Sequence, residues 1–382
     1  MPPPKKKETP DLTETASEPD SPVLKDLSTP LSMPSLGTTT GEIASDKNEV
    51  PETVAEERTD SVQIISPQKK PASLTEIGIR PSVVEKLKKS GVSNTGVLAT
   101  MSPKQLADLV AGIGEMTAQK FIAEAREYHG LGVKKGSLVR AQEKARKKIS
   151  TGLTGLDKIL NGGVETGVVT EFYGAFKSGK TQLCHQLSVL VQRPEEAGGL
   201  NKSCAWIDTE GTWYSERPVK IAEKFGMDPD QVLDNIYVAR SFNSDEQISL
   251  TNEIIENLDE FNVGLIIVDS LISHFRGEYI GRGTLATRQQ TIGNYLEMLQ
   301  RPIAIAGVAV VVTNQVSANP DPYALGGPER ATGGHVVAHS TNHRVHLVGK
   351  SKAVTAQVVD SPVLPPAKCE FVITENGLED VK

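Results

Sequence analysis

Apolar runs alternate with helical stretches through the second half of the chain. These runs lie at residues 168–173, 204–207, 236–238, 265–268 and 308–312. Strands buried on both faces have continuous apolar sequences, and helices between such strands are typical of a mostly parallel sheet covered on both sides. Three later runs follow without intervening helices, at 343–348, 354–359 and 369–373, and predict closing antiparallel strands. The pattern therefore predicts an α/β domain over residues 149–382.

The pattern before residue 149 predicts three other regions. Residues 1–70 are rich in Pro, Ser, Thr and acidic residues and hold no aromatic residue, so we predict a disordered acidic tail. Short helical segments joined by tight turns predict a small all-α domain over residues 71–130. A charged connector at residues 131–148 precedes the α/β domain.

Two glycines in the small domain are candidates for a phosphate contact. Gly112 and Gly114 lie between two helical segments, a pattern that fits a helix-hairpin-helix. There the glycines permit a turn whose backbone amides, at the start of the next helix, can face a DNA phosphate. A plain glycine-containing turn between packed helices explains the same residues, so both interpretations stay open.

Charge and composition narrow the possible partners and location. Across 382 residues the net charge is −7, but the acidic excess is concentrated in the first 60 residues and the remainder is nearly neutral. A DNA site must therefore be a local basic patch, because the whole chain exerts no general attraction on phosphate. Three scattered cysteines and the lack of a long apolar stretch predict a soluble chain, without a membrane partner, in a reducing cytoplasm or nucleus.

A phosphate-loop motif, G-x-x-x-x-G-K-T, follows the first apolar run. It consists of Gly174, Ala175, Phe176, Lys177, Ser178, Gly179, Lys180 and Thr181. A predicted strand precedes the motif and a predicted helix, which includes Gln182, follows it, as the motif requires. Backbone amides of the loop can surround phosphates, Lys180 adds positive charge, and the Thr181 hydroxyl can bind magnesium. We therefore expect ATP and Mg²⁺ as cofactors bound by residues 174–182.

Polar residues at the ends of other strands complete the predicted nucleotide site. The fourth apolar run ends at Asp269, which is expected to hold magnesium through water. Glu210 follows the second run and is the expected general base for hydrolysis, whereas Asp208 is expected to be a structural hydrogen-bond acceptor. Gln315, after the fifth run, is the predicted sensor of the γ phosphate. A polar strand end that caps a turn is the alternative for Gln315.

Two segments beyond these strands have the composition of DNA-binding loops. The first carries the candidate DNA contacts Arg276, Tyr279, Arg282 and Arg288, and arginines interleaved with an aromatic residue and glycines can grip a sugar-phosphate backbone. Solvated arginines paired with acids are the alternative. The second, from residue 316 to 334, is rich in Gly and Pro and longer than a plain connection needs. Together they predict DNA binding linked to the nucleotide state.

With these motifs in this order, residues 73–382 resemble the RecA-type DNA recombinases, and within them the archaeal RadA branch and its eukaryotic relatives. The shared motifs lie at 174–181, 207–212, 265–270, 281–283, 313–316, 333–339 and 360–362. The resemblance implies a RecA-type P-loop ATPase core that assembles as a helical filament on single-stranded DNA and pairs it with a homologous duplex. Recombination mediators are implied as further partners, and an archaeal cytoplasm or a nucleus as the location.

The resemblance also implies roles for individual residues. Arg217 matches the arginine that stacks on adenine, and Asp360 and Pro365 match the cap that a neighbouring subunit places over the nucleotide. The roles of Lys180 and Glu210 in binding phosphate and activating water agree with those expected from the motifs themselves.

The chain departs from the family pattern in the connector and in one helix. The family joins its subunits through Phe-x-x-Ala, and the nearest match here runs from Leu138 to Ala141 without a Phe. Pro302 lies in a segment that the family makes helical, and it is expected to kink or divide that helix.

Two other functions are compatible with the same fold: a recombination mediator or paralogue with slow ATP hydrolysis, and a ring-forming motor. The Arg282 loop and the helical domain favour the recombinase over the motor.

Overall fold

The structure is a computed structural model, which describes residues 71–318, 329–350 and 352–381. The predicted acidic tail, residues 319–328 of the second predicted loop and the side chain of Arg282 lie outside the described part. The helices are α1 Pro81–Lys89, α2 Thr95–Ala99, α3 Pro103–Leu109, α4 Glu115–Tyr128, α5 Gly136–Lys144, α6 Thr154–Ile159, α7 Lys180–Leu190, α8 Glu216–Lys224, α9 Pro229–Asp234, α10 Ser244–Glu256, α11 Ser273–Glu278, α12 Leu285–Ala306 and α13 Gly334–Ser340. The strands are β1 Lys148–Ile149, β2 Val164–Glu165, β3 Val169–Gly174, β4 Ser203–Asp208, β5 Ile236–Arg240, β6 Val263–Asp269, β7 Ala309–Ala318, β8 Glu329–Ala331, β9 His343–Gly349, β10 Val354–Asp360, β11 Lys368–Thr374 and β12 Gly377–Asp380.

Helices α1 to α4 form the predicted helical region. Side chains that are fully buried in it include Leu74, Leu87, Leu98 and Leu106. Helix α3 begins with a capping box, because the Ser102 hydroxyl accepts from the Gln105 amide while the Gln105 side chain accepts from the Ser102 amide. The region packs against α12, where a Cβ added to Gly96 would lie 2.6 Å from Ile305. Only glycine allows α2 to approach α12 this closely.

The connector contains a helix of its own, α5. Leu138 and Ala141, the nearest match to the subunit-joining motif, both lie on this helix. Val139 between them is exposed, and none of the residues of α5 is buried. The joining role of this segment stays a prediction.

A mixed sheet brings the distant motifs of the chain together. Its strand order is β12-β11-β10-β9-β3-β7-β6-β4-β5, and β8 pairs with β7. The strands from β9 to β5 in this order run parallel, and β9 to β12 pair in antiparallel fashion, which confirms the predicted architecture. Because β3, β7, β6 and β4 are parallel, the polar residues that follow them meet at one edge of the sheet.

Both faces of the central strands β3, β4 and β6 are buried. One face carries Val268 and Val312 in the cluster that includes residues of α12 and the helical region. The other face carries Phe172 and Trp206, which share a cluster with Leu187 of α7. None of the helices in the described part of the chain combines the length and the apolar character that a membrane span needs.

The expected division of the helix at Pro302 is wrong. Helix α12 continues through this residue to Ala306 and ends at Gly307, whose φ is 60°. Pro302 is buried, as are Leu299 and Ile305 on the same helix. A proline in a helix interior destabilises the helix by about 3 kcal/mol. The burial of apolar side chains on this face of α12 contributes a stabilising free energy of similar magnitude.

Candidate nucleotide and DNA site

The phosphate loop joins β3 to α7 at the polar edge of the sheet. A Cβ added to Gly174 would lie 2.1 Å from the carbonyl oxygen of Leu347, so this position requires glycine. Lys177 and Gly179 both have positive φ, 64° and 91°. These left-handed residues turn the backbone sharply, as a loop of amides around an anion requires. Phe176, between them and β3, is 87% exposed.

Lys180 is the first residue of α7, and its ammonium group lies inside the loop. It donates hydrogen bonds to the carbonyl oxygens of Gly174, at 3.0 Å, and Ala175, at 2.9 Å. Burial lowers the pKa of Lys180, and the nearby carboxylates of Asp269 and Glu210 act in the opposite direction. An ammonium group held by neutral carbonyls keeps its charge available for an anionic ligand.

Asp269 ends β6 beside the first turn of α7. Its Oδ2 accepts from the hydroxyls of Thr181, at 2.8 Å, and Thr212, at 3.3 Å, and its Oδ1 accepts from the hydroxyl of Thr313. Burial raises the pKa of Asp269, whereas the bonds from Thr313 and Thr181 lower it. Carboxylate and hydroxyl oxygens are the ligands that Mg²⁺ prefers, so the structure brings together a donor set that fits this ion.

Asp208 has the geometry of a structural acceptor. Its Oδ1 accepts from the backbone amides of Glu210, Gly211 and Thr212, at 3.1, 2.7 and 3.2 Å. The same oxygen lies 3.1 Å from the guanidinium group of Arg240. Asp208 therefore fixes the turn after β4 that presents Glu210.

Glu210 and Gln315 contact each other directly. Oε1 of Glu210 accepts from Nε2 of Gln315 at 2.9 Å and from the hydroxyl of Ser270 at 2.7 Å. The Glu210 side chain is otherwise exposed, which leaves the carboxylate open to water. A general base needs this access together with a fixed orientation.

The second predicted loop leaves and rejoins the sheet beside Gln315. Strands β7 and β8 pair with Val316 opposite Ala331. Thr332 then donates to the Gln315 carbonyl oxygen twice, through its amide at 2.9 Å and its hydroxyl at 2.8 Å. This ladder fixes both ends of the segment next to the predicted sensor.

The first predicted loop is partly helical. Arg276 lies exposed on α11, and Tyr279 follows it, half-buried against the core. Phe275 is fully buried, with its ring centroid 5.6 Å from that of Tyr295, so this aromatic residue belongs to the core and not to a DNA surface. Arg288 lies on the first turns of α12 and is half-buried.

Arg217, Asp360 and Pro365 are the residues expected to contact adenine and to cap the nucleotide. All three are distant from the phosphate loop in the sequence, and none of them lies on the strand that precedes the loop. Arg217 on α8 donates to the carbonyl oxygens of Thr374, at 2.9 Å, and Glu375, at 2.5 Å, in the turn between β11 and β12. Asp360 ends β10 and Pro365 lies in the next connection, and both are exposed. Their exposure makes them accessible to a second molecule, and their cap role stays a prediction.

The two glycines of the helical region form a turn between α3 and α4. Gly112 has a φ of 86°, and Gly114 is the residue before α4 begins. The first amides of a helix have no partner within it, so this turn is able to receive a phosphate. Met116 beside it is 88% exposed. The geometry is equally that of a plain turn, and the DNA contact stays a prediction.

The sequence pattern does not identify one buried carboxylate next to the site. Glu171, in the middle of β3, is 0% exposed and accepts hydrogen bonds from Asn314 of β7 and Arg344 of β9. The available signal was an acidic residue within an otherwise apolar run. Its partners lie 143 and 173 positions away, and only the sheet order identifies them.

Comparison with known proteins agrees with the resemblance of the motifs. The family model described as Rad51 matches residues 142–381. The chain is 42% identical over 325 residues to "DNA repair and recombination protein RadA" of Ignicoccus hospitalis, an alignment that covers 83% of this chain and 98% of the relative. It is also 42% identical over 304 residues to the protein of the same name from Aeropyrum pernix. That alignment covers 79% of this chain and 95% of the relative. On the family model and on these relatives, the chain belongs to the Rad51 family.

Proposed function

We propose that the chain is a DNA-dependent ATPase that assembles as a helical filament on single-stranded DNA and catalyses homologous pairing and strand exchange in recombination and repair. The observation that carries this proposal is the contact of Glu210 with Gln315, because the backbone of Gln315 also anchors the second predicted DNA loop. One residue thus touches both the predicted hydrolytic base and the predicted DNA element. The names of the two RadA relatives support the same process.

ATP and Mg²⁺ fit the residues at the sheet edge. Thr181 and Asp269 supply oxygen ligands, and the ammonium group of Lys180 faces the space enclosed by the loop. Bound magnesium would withdraw negative charge from the phosphates. Glu210 takes a proton from the attacking water, while Ser270 and Gln315 hold its carboxylate in one orientation.

The proposed DNA and subunit contacts involve both exposed and half-buried residues. Arg276, Tyr279, Arg282 and Arg288 contact the sugar-phosphate backbone, together with the second loop. Arg217 stacks on adenine, and Asp360 and Pro365 of one subunit cover the nucleotide of its neighbour. Gly112 and Gly114 give the helical region a separate phosphate contact.

A strand-exchange assay tests the proposal against its alternatives. The chain, ATP and Mg²⁺ are incubated with single-stranded DNA and a homologous duplex, and joint molecules are separated on a gel. We expect joint molecules with wild-type protein and none with Lys180→Ala, which removes the charge at the phosphates. ATP hydrolysis without joint molecules would instead indicate a mediator, and unwinding without pairing would indicate a ring-forming motor.

A further inference from the structure

The carboxylate of Glu171 has two oxygens and a different partner for each. Oε2 accepts from Nε of Arg344 at 2.6 Å, and Oε1 accepts from Nδ2 of Asn314 at 2.8 Å. The guanidinium group of Arg344 also lies over the ring of Tyr173, 5.4 Å from its centroid. A fully buried carboxylate is stable only when charge and hydrogen bonds compensate it, and these contacts supply both.

Glu171 decides which way the Asn314 side chain faces. An ionised carboxylate accepts hydrogen bonds and donates none, so the amide must turn its NH₂ group toward Glu171. The same nitrogen donates to the carbonyl oxygen of Thr332 at 2.7 Å, and the amide oxygen then accepts from the backbone N–H of Gln315 at 2.8 Å. A flipped amide would lose all three bonds.

Gln315 is consequently held on both sides of its backbone. Asn314 binds its N–H, and Thr332 binds its carbonyl oxygen through an amide and a hydroxyl. Its side chain is left to donate to Glu210. The contacts therefore run without a gap from Arg344 through Glu171, Asn314 and Gln315 to Glu210.

We propose that Glu171 is a positioning residue, which through Asn314 fixes the base of the second loop and the aim of Gln315 at Glu210. It touches neither nucleotide nor DNA. One part of this inference rests on the proposed function: Glu171 can link DNA binding to ATP hydrolysis only if the second loop binds DNA. The physical anchoring of Thr332 and Gln315 is independent of that function.

The test compares Glu171→Gln with the control Glu165→Gln. The Glu165 carboxylate is also paired with an arginine, because it lies 3.0 Å from the guanidinium group of Arg146, but it does not belong to this series of contacts. Hydrogen exchange is followed in peptides that cover residues 329–334. We expect exchange there to accelerate about tenfold or more in Glu171→Gln, because losing one buried partner costs more than the 1.4 kcal/mol that a factor of ten represents. Glu165→Gln should exchange like the wild type.

The ratio of DNA-stimulated to basal ATP turnover is the second readout. We expect this ratio to fall about tenfold in Glu171→Gln and to stay unchanged in Glu165→Gln. If Glu171→Gln does not fold, Asn314→Asp replaces it, since it keeps the side-chain shape and removes the NH₂ donor. In the double variant Glu171→Gln/Asn314→Asp, donor and acceptor exchange sides, and partial recovery of the exchange rate is expected.

The outcomes separate the inference from the proposed function. Wild-type exchange and a wild-type ratio in folded Glu171→Gln or Asn314→Asp overturn the positioning role. If DNA fails to stimulate even the wild type, the proposed function fails, and the exchange rates alone decide whether Glu171 anchors the loop.

Discussion

The side-chain amide of Gln315 donates a 2.9 Å hydrogen bond to Oε1 of Glu210, although the two residues lie 105 positions apart. The parallel order of β4, β6 and β7 makes this contact possible, because all three strands end at the same edge. The same edge holds Thr181 and Asp269 at 2.8 Å. The residues proposed to bind, hydrolyse and sense a triphosphate thus share one short stretch of sheet edge.

Glu210→Gln separates nucleotide binding from hydrolysis. An amide cannot take a proton from water, so we expect turnover to fall about 100-fold or more while ATP affinity stays near that of the wild type. Phosphate release and equilibrium binding of a fluorescent ATP analogue measure the two quantities. Glu216→Gln, a change of an exposed acid on α8, is the matched control. Normal phosphate release by Glu210→Gln would assign the base elsewhere.

Gly174→Ala tests the shape of the phosphate loop. The new Cβ would lie 2.1 Å from the Leu347 carbonyl oxygen, so the loop or β9 has to move. We expect a loss of about 1–3 kcal/mol in the free energy of unfolding, together with weaker ATP binding. Gly132→Ala serves as control, because nothing lies within 4 Å of that Cβ position. Chemical denaturation and nucleotide titration give both values, and equal effects of the two changes would contradict the expected clash.

His185 makes the stability of the chain depend on pH. It is buried on α7 near Trp206, and burial lowers its pKa from 6.5 to about 4. The unfolded chain takes up a proton below pH 6.5 that the folded chain refuses until about pH 4. This contribution to stability is therefore complete above pH 6.5 and is lost as the pH falls toward 4.

The size of the His185 effect is measured by urea unfolding at pH 7 and pH 4.5. His185→Leu should remove about 2 kcal/mol of the decrease in unfolding free energy between these two pH values. His335→Leu, at an exposed position of α13, should leave the decrease as it is. A wild-type pH profile in His185→Leu would show that the imidazole titrates normally in the folded chain.

Arg276→Ala probes the first predicted DNA loop. The side chain is exposed and its loss should not affect folding. We expect weaker binding of single-stranded DNA at every sequence and a salt dependence of the affinity lowered by about one counterion. Fluorescence anisotropy at several salt concentrations measures both, with Lys158→Ala on α6 as a control for charge alone. An unchanged salt slope would place the DNA contact outside α11.

Periodicity and motif were sufficient to predict the α/β core, the phosphate loop and the strand ends that carry Asp269 and Glu210. Local signals dominate there, because a glycine-rich loop between strand and helix has few alternative structures. The helix through Pro302 shows the limit of a local rule, since burial on α12 outweighed the missing hydrogen bond. Phe275 directly precedes the predicted DNA contact Arg276, but its side chain is fully buried in the core, which the local sequence does not indicate.

Glu171 could not be assigned from sequence for a different reason. Its environment consists of side chains from β7 and β9, and strand order is not encoded in the pattern of any single segment. A single acidic residue in an apolar strand is compatible with a buried ion pair and equally with a strand that has one solvent-exposed face. The resemblance to recombinases implied which residues contact ATP, but it did not assign the residues that support them.

The ladder between β7 and β8 closes the second loop at Val316 and Ala331, with Thr332 clamped to Gln315. These bonds hold the two described ends of the segment that joins β7 to β8. A replacement of the sequence between these two strands therefore leaves in place every bond that Thr332 makes to Gln315.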